Sequence, residues 1–238
     1  MTITSERTRL DLVNEVLLSV GERETRSSAS NPVAKLATRA IQDAIYSVCN
    51  GNTWSEFRRL TNASSWATDE ASLPQNITRI RNVYWYLSPD GNPNTSYDYR
   101  RIQLSYVDLE EYEQQVLIPF TDNGNTPRYW AIQSRNVVKV NPYPNNLLAR
   151  SKCFFEYYEL LDLPVSDSSV FNCSDLFLNL IKYKACELLS SQHLGDFDQS
   201  QVFLVTYENL AKQHRKTDNG QSVKGYRMFR RNNRRTRW

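Results

Sequence analysis

Apolar residues near the start of the chain recur at intervals of three and four positions. Such spacing predicts amphipathic helices that bury one face. We expect the first helix to be capped by Thr4 or Ser5 and to stop at Gly21, and the second to begin at Asn31 and Pro32. The two apolar faces consist of Leu10, Val13, Leu17 and Val20, and of Leu36, Ala40, Ile41, Ala44 and Val48.

Residues 174–216 predict a second pair of helices. The sequence His193-Leu194-Gly195 separates them, and Asp196 stands three residues before Gln199, the spacing of a capping box. The residues at 218–220, Asp-Asn-Gly, tolerate a left-handed turn and predict the end of the second helix. The apolar faces are formed by Phe177, Leu180, Ile181, Ala185 and Leu188, and by Phe203, Tyr207 and Leu210.

Between these helices the apolar pattern changes to a period of two, which is typical of strands. Six strands are predicted, at 54–59, 77–87, 100–105, 129–133, 137–141 and 152–160. A turn is expected at 90–94, a short exposed helix at 107–115, and a hairpin connection at 134–136.

Helices at both ends and strands in the middle predict an α+β fold. We expect an α-helical bundle formed by the N- and C-terminal helices, from residues 1–53 and 162–220. A β-rich domain is inserted at 54–161, and a basic C-terminal arm follows at 221–238.

The net charge of +3 conceals an uneven distribution. Seven of the 29 Lys and Arg residues lie among the last fifteen positions, where there is no Asp or Glu. The rest of the chain therefore carries the other 22 bases together with all 26 acids. The basic character belongs to the arm, and the remainder of the chain is slightly acidic.

The arm is the candidate partner-binding site, for a protein or for DNA. Its positive charges suit nucleic acid, with Trp238 free to stack on a base. They also suit an acidic protein surface, where arginine pairs with carboxylates in a bidentate manner. A tail that only aids solubility is the third interpretation. Two conformations of the arm stay open. A helix would place its arginines along one side, with Tyr226 and Phe229 as an apolar anchor, whereas Gly225 and the Asn232-Asn233 pair weaken helix propensity and favour an arm that is extended until bound. The candidate residues are Lys224, Tyr226, Arg227, Phe229, Arg230, Arg231, Arg234, Arg235, Arg237 and Trp238.

No pattern of residues indicates catalysis, a metal ion or a cofactor. His193 and His214 are expected to have solvated or capping roles. Glu110, Glu111 and Glu113 have the chemistry to bind a divalent ion, but a solvated helix face is the simpler interpretation. The remaining chemistry is that of four cysteines without C-x-x-C spacing, expected to be buried and reduced: Cys49, Cys153, Cys173 and Cys186. No membrane span and no secretion signal are predicted.

Three stretches and the final helix pair together resemble a known family. The segment LVNEVLLSVGE at 12–22 is similar to the opening helix of the head-to-tail adaptor of short-tailed bacteriophages, also called tail tubular protein A. That family opens with L-x-x-V-N-x-I-L-x-S-I-G-E. The last two helices agree in layout as far as Ala211, whereas the loop at 89–94 and the arm depart from the family. The other matching residues are Leu73, Pro74, Ile77, Arg79, Ile80 and Val83, and then Pro127, Tyr129, Val137, Val140, Pro142 and Pro144.

The resemblance implies a structural virion protein that is not an enzyme and has no cofactor. Such adaptors form a dodecameric ring that binds the portal protein and carries the tail nozzle and fibres. DNA passes through the lumen without sequence specificity, and the ring is assembled in the host cytoplasm. The alternative left by the residues themselves is a nucleic-acid-binding module with a basic C-terminal tail.

Overall fold

The computed structural model describes the backbone of residues 5–87, 100–116, 126–144 and 147–232. Side chains are described up to Lys216, except at Leu87, Arg100, Gln115, Val116 and Leu148. The chain divides into two compact units, which we call unit 1 (residues 1–56 and 161–238) and unit 2 (residues 57–160). Unit 1 contains four helices, whereas every described strand lies in unit 2, so the α+β class is confirmed.

The helices of unit 1 are α1 (Arg9–Ser19), α2 (Pro32–Gly51), α5 (Asp175–Leu189) and α6 (Phe197–Asn232). The predicted start of α2 is confirmed, because the Asn31 side chain accepts a hydrogen bond from the Ala34 N–H at 2.7 Å. The predicted cap of α1 was wrong. Thr8 caps this helix and exchanges hydrogen bonds with Asp11 in a capping box, a pairing in which Asp replaces the usual Glu.

Helix α5 is the central element of unit 1 and packs against α1, α2 and α6. Its N-cap is Ser174, and its core side chains, among them Phe177 and Ile181, are fully buried. Beyond α5, residues 190–194 form one π-helical turn that ends at Gly195 with φ +70°. A positive φ costs little only for glycine, which explains the break that the sequence predicts here.

Helix α6 does not end at residues 218–220 but continues to Asn232, a length of 36 residues. Extending an existing helix fixes one residue for each hydrogen bond gained, and one glycine opposes this by only about 1 kcal/mol. A turn signal inside an established helix is therefore easily overridden. The consequence is that the first part of the basic arm belongs to a long helix.

Unit 2 consists of two sheets rather than one run of six strands. More strands are described than were predicted, because several are too short to show a period. They are β1 (Arg58–Thr61), β2 (Ser65–Ala67), β3 (Glu70–Ser72), β4 (Ile77–Leu87), β5 (Arg100–Gln103), β6 (Ser105–Tyr106), β7 (Tyr129–Ser134), β8 (Val137–Asn141) and β9 (Cys153–Glu159). The four-stranded sheet has the order β1-β9-β4-β5, and the five-stranded sheet has the order β2-β3-β8-β7-β6.

Two short helices complete unit 2, α3 (Leu109–Val116) and α4 (Leu147–Ser151). The predicted exposed helix is confirmed as α3, while α4 was not predicted. The hairpin of β7 and β8 is also confirmed. Residues 54–59 are not one strand, since Trp54 belongs to unit 1 and a 3-10 turn, Ser55–Phe57, precedes β1. The turn expected at 90–94 lies outside the described residues.

Strand β4 contains two irregularities that decide which side chains face outward. Ile77, Ile80 and Val83 are all buried in the core, yet they are three residues apart, a spacing that a regular strand would not place on one face. The pairing of β4 with β9 shifts register between Ile77 and Arg79 and again between Ile80 and Asn82. Each bulge inserts one residue and returns the next apolar side chain to the core.

Candidate interaction surfaces

The basic arm lies at the far end of α6. The backbone of residues 224–232 is helical, so of the two conformations that the sequence allows, this segment has the helical one and not the extended one. Its side chains, namely those of Lys224, Tyr226, Arg227, Phe229, Arg230 and Arg231, lie outside the described part of the chain. Arg234, Arg235, Arg237 and Trp238 lie outside the described residues altogether.

A second basic surface lies on the side of the four-stranded sheet opposite its core. We call Arg58, Arg79, Arg81 and Arg101, with the sheet beneath them, the arginine face. Arg58 pairs with Tyr158 in the register of β1 and β9, and Arg79 pairs with the same tyrosine from β4. The Arg58 and Arg81 side chains are 46% and 50% exposed, and Arg79 and Arg101 are also exposed.

A buried carboxylate lies at the centre of the arginine face. Glu156 on β9 is only 1% exposed and forms ion pairs with Arg58 and, at 3.5 Å, with Arg81. It also accepts hydrogen bonds from the Asn82 amide at 2.8 Å and the Tyr84 hydroxyl at 2.7 Å. The bulge between Ile80 and Asn82 is what allows both Arg81 and Asn82 to reach one carboxylate.

The surroundings of Glu156 stabilise its ionised form. Burial alone raises the pKa of a carboxyl group, but the hydrogen bonds from Asn82 and Tyr84 and the two arginines outweigh it, so the pKa of Glu156 is lowered. Burial, followed by the bond to Glu156, raises the pKa of Tyr84. The Arg101 guanidinium lies 3.4 Å from the centre of the Tyr84 ring, in a cation–π contact. Two arginines, Arg58 and Arg81, are therefore held in place by one carboxylate, that of Glu156.

Unit 1 contains an open acidic cleft of about 720 Å³ between the start of α1 and the start of α5. Arg7 lies within it and pairs with Glu15 at 3.4 Å and with Asp175 at 3.6 Å. Because five carboxylates surround this one arginine, the cleft has a negative charge. The five are Glu6, Asp11, Glu15, Glu24 and Asp175.

Carboxylates and amides also join distant segments of unit 1. Asp167 accepts hydrogen bonds from the Ser27 hydroxyl at 3.0 Å and from the backbone N–H and hydroxyl of Ser28. Those bonds from Ser28 are the main reason that the pKa of Asp167 is lowered. Asn14, within the segment 12–22, exchanges two hydrogen bonds with the Thr25 backbone. The sequence shows Asn14 in a helix but does not show what it binds.

The two histidines have different environments. His193 is exposed in the π-helical turn, in line with the expected solvated role. The expectation was wrong for His214, which is buried on α6 with its ring 4.8 Å from that of Trp54 and 6.4 Å from that of Phe177. His214 follows Ala211 by three positions and Tyr207 by seven, a spacing that puts it on the apolar face of the helix. The spacing therefore indicated burial, but the basic residues that flank His214 obscured this.

The predicted state of the cysteines is confirmed, since all four are free and buried. Burial raises the pKa of each, for example to about 12 for Cys186, which makes these thiols poor nucleophiles. Within the described ranges, no group of three or more His, Cys, Asp or Glu side chains has an arrangement suited to a metal ion. In the same ranges, no helix has the length and apolar composition needed to cross a membrane.

Comparison with known protein families identifies the class of protein. A family model described as SU10 adaptor protein matches residues 7–234, which is nearly the whole chain. No curated protein matches the chain. The chain belongs to the SU10 adaptor protein family, a family of bacteriophage head-to-tail adaptors with a structural role in the virion.

Proposed function

We propose that this protein is the adaptor ring between the capsid portal and the tail of a short-tailed phage. Copies of the chain form a ring, dodecameric by resemblance to tail tubular protein A, that carries the tail nozzle and fibres. DNA passes through its lumen without sequence specificity. The observation that carries the proposal is the family match over residues 7–234. The narrower assignment to the tail tubular protein A type stays a prediction.

The resemblance to tail tubular protein A implies a division of roles within the ring. We propose that the helices of unit 1 form a bundle that builds the ring and contacts the portal, and that unit 2 faces the tail. The basic arm at the end of α6 clamps the neighbouring portal ring. Many arms with seven positive charges each would repel one another around one axis, so each must meet acidic surface or spread outward.

Deletion of residues 224–238 tests the role of the arm. The purified full chain is mixed with a purified portal ring, and the complex is measured by size-exclusion chromatography with light scattering. We expect the full chain to bind and the shortened chain to lose binding. Portal binding by the shortened chain at the level of the full chain would overturn the clamp.

Two sets of substitutions in the arm distinguish the possible reasons for a loss of portal binding. Replacing the five arginines Arg227, Arg230, Arg231, Arg234 and Arg235 by lysine keeps the charge but removes the planar fork that binds a carboxylate in a bidentate manner. Replacing them by glutamine removes both. We expect portal binding to fall from the natural arm to the lysine arm and further to the glutamine arm. Equal binding by the natural and lysine arms would show that charge alone matters.

DNA binding by the isolated protein discriminates the alternative function. An affinity for duplex DNA that falls steeply between 50 and 200 mM salt is the signature of many phosphate contacts. Such an affinity, together with no binding to the portal ring, would favour a nucleic-acid-binding module. We expect the portal to bind and DNA to bind only weakly.

A further inference from the structure

The charges of unit 2 are balanced in number, but two surfaces of its described part carry opposite charges. Residues 57–160 contain eleven Lys and Arg and eleven Asp and Glu. The arginine face lies on the four-stranded sheet, whereas a group of acids lies on and beside α3, which packs against β7 of the five-stranded sheet. The described part of unit 2 therefore presents a basic surface on one sheet and an acidic surface beside the other.

Helix α3 holds its acidic residues in fixed outward positions. Tyr112 is 1% exposed on the inner side of the helix, and its hydroxyl donates a hydrogen bond to Asp69 at 2.9 Å. The Asp108 carboxylate accepts the Glu111 N–H at 2.7 Å at the helix start. Glu110 and Glu113, three residues apart, are exposed on the side away from Tyr112. Residues 107–116 contain no Lys or Arg.

The arginine face has the composition of a protein-binding surface. Arginine and aromatic residues are enriched at the energetic centres of protein interfaces. Tyr86 and Phe154 are half-buried beside the cluster, their rings 4.8 Å apart, and Leu60 of the same sheet is 46% exposed. The Tyr84 ring is already covered by Arg101, so it offers no stacking platform for a nucleic-acid base. A carboxylate-bearing protein surface suits this face better than single-stranded nucleic acid does.

We propose that the arginine face of one copy binds helix α3 of a second copy, with Arg79 and Arg101 contacting Glu110 and Glu113. Among the described residues, the four arginines of the face outnumber Glu156, the carboxylate that forms ion pairs with two of them, and α3 supplies the opposite charge. Because the two surfaces differ, the contact is head-to-tail and continues from copy to copy until a ring closes. This contact of unit 2 adds to the contacts between unit 1 bundles that build the ring, and its place in the adaptor ring rests on the proposed function.

Single and paired charge reversals in the full chain test the contact. Arg79→Glu and Glu113→Arg each place like charges opposite one another at every interface, whereas the double variant restores an opposite pair. The association of each variant is measured by sedimentation velocity over a range of concentrations, at 50 and 500 mM salt. Arg23→Glu and Asp162→Arg, both at exposed positions of unit 1, are the matched controls.

We expect the natural chain to form species larger than dimers at low salt and to dissociate at high salt, because salt screens charge contacts. Each single reversal weakens association about tenfold or more, the double variant recovers most of the loss, and the controls behave like the natural chain. Self-association of the double variant that is as weak as that of the single variants would overturn the proposal. A chain that remains monomeric at both salt concentrations, or that stops at a dimer, would also overturn it.

Adding DNA and the portal ring distinguishes the remaining explanations. If Arg79→Glu reduces binding to duplex DNA but leaves self-association unchanged, the occupant is nucleic acid and the proposal fails. If the double variant does not recover self-association but the portal ring still binds the protein, the adaptor function stands and this contact is wrong. If the double variant recovers self-association and the portal ring does not bind the protein, the contact stands and the adaptor function is wrong.

Discussion

Charged side chains serve different purposes in the two units. In unit 1, Asp11, Glu56 and Asp167 each accept backbone N–H groups at places where the chain starts a helix or turns. In unit 2, Glu156 instead gathers side chains that project from β1 and β4. These carboxylates of unit 1 thus stabilise the local backbone conformation, whereas Glu156 positions two arginines that remain half-exposed to solvent. A helical unit that is acidic outside its arm, with 11 Lys and Arg against 15 Asp and Glu, and a sheet that displays arginines suit a protein that binds different neighbours through its two units.

The largest effect is expected from the apolar core of unit 1. Phe177 is fully buried and its ring contacts that of Trp54 edge-on at 5.8 Å, whereas the neighbouring Leu176 is 41% exposed. Phe177→Ala should lower the free energy of unfolding by about 3–5 kcal/mol, the usual cost of emptying such a site. Leu176→Ala should lower it by less than about 1 kcal/mol. Urea denaturation followed by circular dichroism measures both, and equal costs for the two variants would contradict the described packing.

A smaller effect is expected at the buried carboxylate of unit 2. Glu156→Gln leaves Arg58 and Arg81, which are both half-exposed, without their anion. Removing one partner of a fully buried ion pair costs about 3–5 kcal/mol, and solvent screening of exposed partners reduces that cost to roughly 2 kcal/mol.

The matched control for this substitution is Glu24→Gln, at an exposed position of unit 1. A substitution at such a surface position should change the free energy of unfolding by less than about 0.5 kcal/mol. Both variants are compared with the natural chain by urea denaturation. If Glu156→Gln is as mild as the control, the cluster does not stabilise unit 2.

The pH dependence of the free energy of unfolding also tests the role of Glu156. An unperturbed glutamate has a pKa of about 4.3. Because the pKa of Glu156 is lowered in the folded protein, its stabilising contribution is fully present above that ordinary value and is lost as the pH falls through the lowered one. The difference in stability between the natural chain and Glu156→Gln should therefore be constant near neutral pH and shrink in acid. A difference that grows on acidification would contradict the ion-pair account.

The smallest effect is expected at the start of α1. Thr8→Ala removes a hydroxyl that accepts the Asp11 N–H at 3.2 Å. The loss of an N-cap side chain usually costs about 1 kcal/mol. Thr53→Ala, at an exposed threonine outside the helices, is the matched control and should be nearly neutral. Both are measured by the midpoint of urea denaturation, and a neutral Thr8→Ala would argue against the capping box.

Signals that are local in the sequence predicted the fold best. Asn31-Pro32 predicted the start of α2, and the spacing from Asp196 to Gln199 was confirmed by a hydrogen bond at 2.9 Å from the Gln199 N–H to the Asp196 side chain. Signals of the same kind failed for α6, where helix continuation outweighed the preferences of residues 218–220. The cap of α1 was missed because Thr8, Ser5 and Thr4 are all suitable caps, and only the packed structure selects one.

The interaction surfaces were harder to predict because they depend on strand pairing. Arg58, Arg81 and Glu156 are separated by 23 and 75 positions along the chain, and no pattern in the sequence brings them together. The three-residue spacing of Ile77, Ile80 and Val83 did contain a signal for the bulges of β4. The arm, by contrast, was evident from composition alone, because a run of bases without acids needs no folded context to be noticed.

The mass of the protein in solution, alone and then mixed with a purified portal ring, tests the central claim most directly. Native mass spectrometry or mass photometry measures both. The adaptor account predicts that the mixture contains portal rings carrying one closed ring of this chain, with a discrete mass. A protein that leaves the mass of the portal ring unchanged while binding DNA would contradict the account and favour the nucleic-acid-binding module.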